Sequence, residues 1–323
     1  MSLLIEKPGI LTTIQDRGRQ GARRFGINPG GVMDAAAAQL VNILLGNQDN
    51  EAVIEMHFPA PQISLQAGAI AAIGGADLGP TLDGEPVENW RPFIARKGSV
   101  LRFAGRQSGN RAYLTIKGGL KIKPWLGSAS TNLAGGIGGF SGRKLQAGDR
   151  IDIRQKAKMA GDLPSISISG SLIPLYRPFP TVRVIAGAEF GHLNAAGKKS
   201  LFGQDFVISN RSNRMGFRLT GEPITLSKPR DFISSAVNFG TIQLLPDGQL
   251  IVLMADHQTT GGYPRIAHII SRDLPLIAQL GANDKVAFHL IEHTQAEQLA
   301  LEWERELSFF RVGCSFQAKS WGV

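Results

Sequence analysis

The sequence predicts a mainly β protein with a few short helices, because its turns, its short apolar segments and its composition agree. Glycine (39) and proline (17) are frequent along the 323 residues, and the segments between them are β-branched or alternating. In "TIQLLPDGQLIVLMA", for example, Pro246 to Gly248 has turn chemistry between two apolar strands. Hydrophobic residues make up 43% of the chain, which is enough for a buried core.

A polar turn followed by an alternating strand recurs along the chain. It appears again in "KGSVLRFAG" from Lys97, "AGDRIDIR" from Ala147 and "ANDKVAFHLI" from Ala282. Each copy predicts a strand that runs from an edge into a core, and this rhythm is typical of closed or nearly closed barrels.

Three segments have helical patterns. "MDAAAAQLVNILLGN" has Asp34 as its N-cap and Gly46 just past its end. "SRDLPLIAQLG" has Ser271 as a candidate cap and Gly281 as the stop. The third segment, from Thr294 through "QAEQLALEWEREL", is amphipathic.

Length and composition predict two halves of related build. A chain of 323 residues is long for one ordinary core. The stretch 155–180 is rich in Ser, Gly and Pro and has no helical period. We therefore predict an N-terminal half at 1–165, a linker at 166–180 and a C-terminal half at 181–323. Each half has turn-rich strands and a short capped helix, as two related barrels would.

Charge and cysteine usage narrow the function classes. The formal net charge is +9, but the basic residues are dispersed and no nucleic-acid-binding module accompanies them. We interpret the surplus as solvated surface, or else as a docking face for an acidic partner or an anionic substrate. The single cysteine, Cys314, leaves no disulfide framework, and no apolar run reaches the roughly 18 residues of a membrane span. A cytoplasmic protein that binds neither nucleic acid nor membrane is expected.

Generic site motifs are incomplete in this sequence. "GHLNAAGKKS" resembles a phosphate loop, but five residues separate Gly191 from Gly197 where four are required. The six histidines have no metal-ligand spacing, so no metal is expected. Neither a serine elbow nor a histidine near Cys314 marks a covalent nucleophile.

The densest polar cluster of the chain is "LMADHQTTGGYPRIAHII", Leu253 to Ile270. The strand before it should deliver the cluster to a barrel rim, where Gly261 and Gly262 let backbone N–H groups approach a ligand closely. The polar side chains that would crowd around one concave spot are those of Asp256, His257, Gln258, Thr259, Thr260 and Tyr263. The alternative is an elaborate turn whose polar side chains satisfy their own backbone.

The residues around this cluster also carry a family resemblance. "ADHQTTGGYPRIAHIISRDLPLIAQLGANDKVAF" closely resembles the C-terminal signature of the family called allophanate hydrolase subunit 2, also known as the C-type subunit of 5-oxoprolinase or as biotin-dependent carboxyltransferase. The resemblance extends over nearly the whole chain in the family's order and spacing. It includes "GILTTIQDRGRQG" from Gly9, "GVMDAAAAQLVNILLGN" from Gly31, "AVIEM" from Ala52, "GGLKIKPWLGSAST" from Gly118, "GRKLQAGD" from Gly142 and "SNRMGFRLTG" from Ser212.

The resemblance implies two tandem cyclophilin-like β-barrel domains and a place in a multi-subunit enzyme. Members act beside a homologue of allophanate hydrolase subunit 1, which is the B-type subunit of 5-oxoprolinase. With a third subunit they complete an ATP-dependent enzyme that opens 5-oxoproline to glutamate. A fused relative is the carboxyltransferase part of urea carboxylase, which moves carboxyl from carboxybiotin to urea. One branch of the family is instead regulatory and binds a kinase-inhibitor homologue.

Both enzyme reactions act on an amide-like group, so the site must polarise a carbonyl and manage a proton on nitrogen. We expect Asp256 or His257 to handle that proton. We expect the substrate oxygen to be held by backbone N–H groups of Gly261 and Gly262 with Thr259, Thr260 or Tyr263. Gln258 is a further expected substrate contact.

Further substrate-binding candidates lie outside the cluster. Arg214 and Arg218 could meet a carboxylate or a phosphorylated or carboxylated intermediate, because guanidinium binds such groups bidentately. For Arg214 the alternative is an ion pair within the second barrel. Gln15, Asp16 and Arg17 could line a groove between the halves or a partner interface. The alternative there is a turn in which Asp16 accepts backbone N–H groups.

No covalently bound cofactor is expected on this chain. The nearest approach to a biotin attachment sequence, "KAKMAG", has Ala157 before Lys158 and does not fit the consensus. No ATP-binding motif is present, so a partner protein should supply any ATP-dependent step. Biotin on a separate carrier is needed only if the chain is a carboxyltransferase component.

Overall fold

A computed structural model of the protein describes residues 1–154, 166–228 and 231–320. The chain divides into two compact units. Unit 1 comprises Met1–Arg19, Gly30–Leu175 and Glu304–Val323, and unit 2 comprises Gln20–Pro29 and Tyr176–Trp303. The predicted halves therefore differ from these units in two segments: 20–29 belongs to unit 2, and 304–323 belongs to unit 1. The first part of the glycine- and serine-rich stretch, 155–165 with Lys158, lies outside the described residues.

Unit 1 contains eleven described strands in two sheets. The strands are β1 (Ser2–Lys7), β2 (Thr12–Gln15), β3 (Val53–His57), β4 (Gln62–Leu65), β5 (Ala69–Asp77), β6 (Pro80–Leu82), β7 (Glu85–Pro86), β8 (Pro92–Ala95), β9 (Val100–Phe103), β10 (Ser108–Ile116) and β11 (Arg150–Asp152). One sheet has the order β11-β1-β4-β9-β6-β7 and the other the order β2-β3-β10-β5-β8. All of their strand pairs are antiparallel.

The core of unit 1 draws on both of its sheets. Leu3 and Ile63 from the first sheet and Ile54, Ile73 and Leu114 from the second belong to one buried apolar cluster. Side chains alternate between the two faces of a strand, so each sheet turns one apolar face towards the other. Two sheets packed in this way hold the unit together.

Helix α1 (Ala35–Leu44) begins and ends where the sequence predicts. Asp34 is its N-cap, and the Asp34 carboxylate accepts a hydrogen bond of 2.9 Å from the Ala37 N–H. This bond satisfies one of the backbone donors that the first helical turn leaves unpaired. Gly46, just past the end of the helix, has a positive φ of 68°.

Unit 2 contains a closed barrel. Its strands are β12 (Thr181–Ala186), β13 (Phe206–Ile208), β14 (Gly216–Thr220), β16 (Thr241–Leu244), β17 (Leu250–Leu253), β19 (Arg265–Ile269) and β20 (Lys285–Leu290), and β15 (Ser235–Ala236) and β18 (Thr260–Gly261) form a separate two-stranded ladder. The barrel order is β12-β19-β16-β17-β14-β13-β20. A parallel pairing of β12 with β20 closes it.

Burial along the barrel strands distinguishes their inner and outer faces. In β14, Phe217 and Leu219 are buried and Arg218 is exposed, as expected of a half-buried strand. In β16 all four residues are buried, including Gln243. Because neighbouring residues point to opposite faces, the outer face of β16 is also covered. The polar cluster after β17 covers it, with Gly261 and Tyr263 close to Gln243.

The three helices after α1 each depart from the sequence expectations. "GHLNAAGKKS" forms helix α2 (Ala195–Gly203), capped by the Asn194 side chain. Helix α3 (Leu274–Ala278) starts after Asp273 rather than after Ser271. The Asp273 carboxylate does not cap this helix, because it accepts hydrogen bonds from the backbone and guanidinium of Arg183. The third predicted helix, α4, runs from His293 to Ser320 and is longer than expected.

The mainly β class and the predicted barrel are confirmed, with four α-helices among the described residues. The closed barrel lies in unit 2, whereas the strands of unit 1 form two sheets. No helix within the described ranges is long and apolar enough to cross a membrane.

Candidate functional site

A buried ion pair occupies the start of the polar cluster. Asp256 accepts hydrogen bonds from the Arg214 guanidinium at 2.9 Å (Nε to Oδ2) and 3.1 Å (Nη2 to Oδ1). The Asp256 N–H also donates to the Arg214 carbonyl at 2.8 Å, which extends the pairing of β14 with β17. Both side chains are less than 10% exposed. The geometry corresponds to the ion-pair alternative, because each Asp256 oxygen already binds Arg214.

The His257 ring is buried and has one defined tautomer. Its Nδ1 lies 2.5 Å from the Gln258 carbonyl oxygen, and a carbonyl only accepts, so Nδ1 carries the proton and Nε2 keeps a lone pair. Burial is the main cause that lowers the pKa of His257, although the hydrogen bond to Gln258 opposes it. The ring is therefore neutral at neutral pH and can accept a proton at Nε2.

His268 lies close enough to His257 to be influenced by its charge. Its Nδ1 is 3.1 Å from the Thr241 hydroxyl. Burial lowers the pKa of His268, and the charge of a protonated His257 lowers it further. Among the described residues, no group of three or more His, Cys, Asp or Glu side chains is placed to hold a metal ion.

The middle of the polar cluster belongs to the ladder of β15 with β18. The register pairs Ser235 with Gly261, and the Val237 N–H donates to the Thr259 carbonyl. Hydrogen-bonded pairs alternate along an antiparallel ladder, so the Gly261 N–H is directed towards Ser235. The predicted contact between the Gly261 N–H and a substrate oxygen is therefore not what the ladder favours.

A polar cavity of about 310 Å³ brings three of the predicted residues together. It is lined by Arg218, Gln258 and Tyr263, by Gln243 and Asp247, and by the apolar residues Leu245, Pro246 and Ile251. Asp256, His257, Thr259 and Thr260 are not among its lining residues. The cavity lies on the outer face of the barrel, where the polar cluster covers β16.

Strand register explains why distant residues meet at this cavity. Ile251 on β17 pairs with Arg218 on β14 and with Gln243 on β16. The three residues therefore form a row across adjacent strands on one face of the sheet. No described residue forms an ion pair or a side-chain hydrogen bond with the Arg218 guanidinium, which leaves it available to an anionic group.

Gln243 lines the cavity but was not singled out from the sequence. It is completely buried, and its Nε2 donates to the Tyr263 carbonyl at 3.1 Å. Its Oε1 has no hydrogen-bond donor among the described residues. Gly261 makes room for this amide, because a Cβ at that position would lie 2.7 Å from Gln243 Nε2. The available signal was a glutamine within the otherwise apolar run "TIQLL".

A larger cavity of about 600 Å³ adjoins the polar one. The two share Leu245, Pro246 and Tyr263, and the larger one is also lined by Phe232 and Gly262. Its other lining residues are Ile224, Thr225, Leu226, Asp231, Leu244, Gly248 and Pro264. The half-exposed Tyr263 side chain therefore lines both cavities, the smaller polar one and the larger, mainly apolar one.

The predicted residues of unit 1 form a closed hydrogen-bond cluster around Asp16. Its carboxylate accepts from the Gly18 N–H at 2.8 Å, and from the Ser128 hydroxyl, the Ala129 N–H and the Ser130 hydroxyl at 2.6 Å each. Four donors around two oxygens leave little capacity for a ligand. The turn alternative describes Asp16 better than a substrate contact does.

The neighbours of Asp16 differ from each other in exposure. Gln15 is fully buried, and its Nε2 donates to the Thr13 hydroxyl at 3.1 Å and the Thr131 carbonyl at 3.3 Å. Arg17 is exposed. Arg19, which the sequence analysis did not single out, is buried against the Trp125 ring and donates to the Ser130 carbonyl.

Comparison with known proteins places this architecture in a family. Two relatives are named as the C-type subunit of 5-oxoprolinase. The one from Haemophilus influenzae is 35% identical over 287 residues, which is 89% of this chain and 90% of the relative. The one from Escherichia coli is 33% identical over 308 residues, which is 95% of this chain and 96% of the relative.

A solved structure extends the likeness to a much larger protein. The crystal structure of the K. lactis urea amidolyase matches 96% of this chain with a TM-score of 0.88 and 25% identity, and this chain spans 20% of it. The family model described as "Carboxyltransferase domain, subdomain A and B" matches residues 25–290. The chain therefore belongs to the carboxyltransferase domain family, subdomains A and B.

Proposed function

We propose that this chain is the C-type subunit of an ATP-dependent 5-oxoprolinase complex. The observation that supports this most is the match to two proteins named as that subunit, over about nine tenths of both lengths. The partners are a B-type subunit, homologous to allophanate hydrolase subunit 1, and a third subunit. ATP is used by the complex, which works in the cytoplasm, and this chain carries no covalent cofactor.

The reaction sets the chemical demands on the site. Ring opening breaks the C–N bond of the lactam; water supplies a hydroxyl to the carbonyl carbon and a proton to the nitrogen, and coupled ATP hydrolysis yields ADP and phosphate. An amide carbonyl is a poor electrophile, so the substrate must be held in a fixed orientation while it is activated. In this proposal the polar cavity of unit 2 supplies that orientation.

Arg218 is the residue best placed to hold the substrate carboxylate. Its guanidinium lines the cavity and has no partner among the described residues. Guanidinium binds a carboxylate through two parallel hydrogen bonds, which gives both affinity and direction. The dispersed positive charge of the chain, +9 overall, also favours the approach of an anionic substrate.

For the proton, His257 fits better than Asp256. Both oxygens of Asp256 bind Arg214, whereas His257 is a neutral ring with a basic Nε2. His257 is only 2% exposed and does not line the cavity, so proton transfer between its Nε2 and the substrate requires an intervening water. Tyr263 and Gln258 complete the polar rim.

The test is reconstitution of the complex with the products of neighbouring genes. Glutamate formation and ATP hydrolysis are measured with and without 5-oxoproline, for the wild type, Arg218→Ala and Arg211→Ala. We expect Arg218→Ala to lower kcat/KM about 10- to 100-fold, the range for a lost charged hydrogen bond. Arg211 is exposed in the same unit and outside the cavity, so its replacement should leave activity unchanged.

A second function is supported by the structural match to urea amidolyase, which covers 96% of this chain. It is transfer of carboxyl from carboxybiotin on a separate carrier to a urea-like amide. A stable complex with no 5-oxoproline-dependent turnover would contradict the first proposal. Carboxylation of urea from a carboxybiotin carrier would then be the next assay.

A further inference from the structure

We infer that the polar cavity selects a ligand bearing both a carboxylate and an amide N–H, and that Gln243 Oε1 accepts the hydrogen bond from that N–H. The inference rests on the proposed function, since it assigns the atoms by which 5-oxoproline is recognised. Gln243 acts here as a specificity-determining residue, and it takes no part in bond breaking.

The orientation of the Gln243 amide follows from its one hydrogen bond. The Tyr263 carbonyl can only accept, so the atom 3.1 Å from it must be the Nε2 donor. Oε1 is the acceptor end of the same amide, and Gln243 is one of the residues that line the cavity. In the inferred complex this acceptor, and not the Nε2 donor, meets the ligand.

A buried carbonyl without a donor is uncommon in folded proteins. Gln243 is 0% exposed, and no described residue donates to its Oε1. Such an atom costs free energy in the empty protein, and a ligand N–H would recover that cost. A ligand atom that is itself only an acceptor would meet the Oε1 lone pairs and be repelled. The cavity therefore distinguishes a lactam from a lactone of the same shape.

The second recognition element lies two strands away. Arg218 and Gln243 flank Ile251 in one cross-strand row, so their Cβ atoms are about 10 Å apart at the usual strand spacing. A long arginine side chain can span most of that distance above Ile251. In 5-oxoproline the carboxylate is attached to the carbon next to the ring nitrogen, so Arg218 and Gln243 can bind adjacent groups.

The apolar residue between them suits the rest of the molecule. Ile251, Leu245 and Pro246 line the same cavity and offer contact to the ring methylene groups. Urea has N–H donors but neither a carboxylate nor methylene groups. The cavity therefore favours 5-oxoproline over urea through its guanidinium and its apolar wall.

Binding to the reconstituted complex without ATP tests this inference. Titration calorimetry compares three ligands: 5-oxoproline, the lactone 5-oxotetrahydrofuran-2-carboxylate, which has ring oxygen in place of N–H, and 2-pyrrolidinone, which has N–H but no carboxylate. For the wild type we expect 5-oxoproline to bind at least about tenfold more tightly than either analogue. These comparisons need no variant, so they remain decisive if a Gln243 variant fails to fold.

Variants then assign the discrimination to one residue. Gln243→Met keeps the length of the side chain and removes the acceptor, so the preference for lactam over lactone should fall to about one. Gln204→Met is the matched control, since Gln204 also hydrogen-bonds a backbone carbonyl in unit 2 but does not line the cavity. Its lactam preference should equal that of the wild type.

Two results would overturn the inference, and they are distinguishable. If 5-oxoproline and the lactone bind the wild-type complex equally well, Gln243 does not accept a hydrogen bond from the ligand N–H, but the proposed function still stands. If the complex does not bind 5-oxoproline at all, the proposed function fails and the inference fails with it.

Discussion

Units 1 and 2 each bury an aspartate that the sequence marked as a candidate site residue, but they satisfy it by different means. In unit 2, Asp256 is held by the charged guanidinium of Arg214. In unit 1, the donors to Asp16 are two backbone N–H groups and two serine hydroxyls, all of them neutral. Removing the charge of Asp256 leaves the buried Arg214 cation without a counterion, whereas removing the charge of Asp16 leaves only neutral donors without a charged acceptor.

The two units also share a buried glutamine at the end of a Thr-Ile-Gln stretch. Gln15 and Gln243 are both fully buried, both donate Nε2 to a backbone carbonyl, and neither Oε1 has a donor among the described residues. Gln15 is followed by the closed Asp16 cluster, whereas Gln243 lines a cavity with Arg218. The same local sequence is part of a tight turn in one unit and part of a ligand-sized space in the other.

The largest effect that we expect comes from Asp256→Asn. It leaves the Arg214 charge buried without its counterion, so unfolding free energy should fall by about 3–5 kcal/mol. Chemical denaturation of the purified chain measures this loss. The double variant Arg214→Met with Asp256→Leu removes both charges and should recover most of the stability. A single variant as stable as the wild type would contradict the structural role of this pair.

Asp16→Asn is the matched change in unit 1, with a smaller expected effect. Asparagine keeps one acceptor oxygen for the four donors and turns an NH2 group towards the others, so we expect a loss of about 1–2 kcal/mol. The same denaturation experiment gives the value. A loss at Asp16 equal to that at Asp256 would mean that charge is not what separates the two sites.

Sequence patterns predicted the fold where local chemistry decides the structure. The Asp34 cap and the turn at Pro246 to Gly248 depend on neighbouring residues alone, and both are confirmed. Helix α3 starts after Asp273 and not after Ser271, and the Asp273 carboxylate binds Arg183, ninety residues earlier in the chain, which no local pattern reveals. Helix α2 was missed because its many glycines and lysines have no apolar period.

The site was only partly predictable for the same reason. Gln258 and Tyr263 lie in the polar cluster and stand out in the sequence, and Arg218 was singled out through the family motif. Gln243 contributes the buried acceptor, yet it looks like a core residue until strand register places it beside Ile251. Cross-strand pairing of this kind is not encoded in any short stretch of sequence.

Gly261→Ala should sharpen the contrast between the two glutamines. The added Cβ would lie 2.7 Å from Gln243 Nε2, so the amide must shift, at a cost of roughly 1 kcal/mol in stability. Because Oε1 would shift with it, 5-oxoproline should bind more weakly to the complex. Gly191→Ala is the control, since a Cβ at Gly191 would meet nothing within 4 Å and Gly191 lines neither cavity. Equal binding by both variants would argue against a fixed Gln243 amide.

The smallest effect that we expect is a pH dependence of stability that comes from two buried histidines of unit 2. Burial lowers the pKa of His257 and of His268 below the usual value of 6.5. Between the folded and unfolded pKa values the unfolded chain binds more protons, so stability falls as the pH decreases below about 6.5. At pH 6 an unfolded histidine is about three-quarters protonated, and the loss stays below about 1 kcal/mol for each of the two. Between pH 7.5 and 5.5, the melting temperature of the double variant His257→Gln with His268→Gln should change less than that of the wild type. If the double variant and the wild type have the same dependence of melting temperature on pH, the acid sensitivity comes from groups outside this pair. Hydrogen exchange as a function of pH, compared between peptides spanning 250–270 and 12–16, would then locate it in unit 2 or in unit 1.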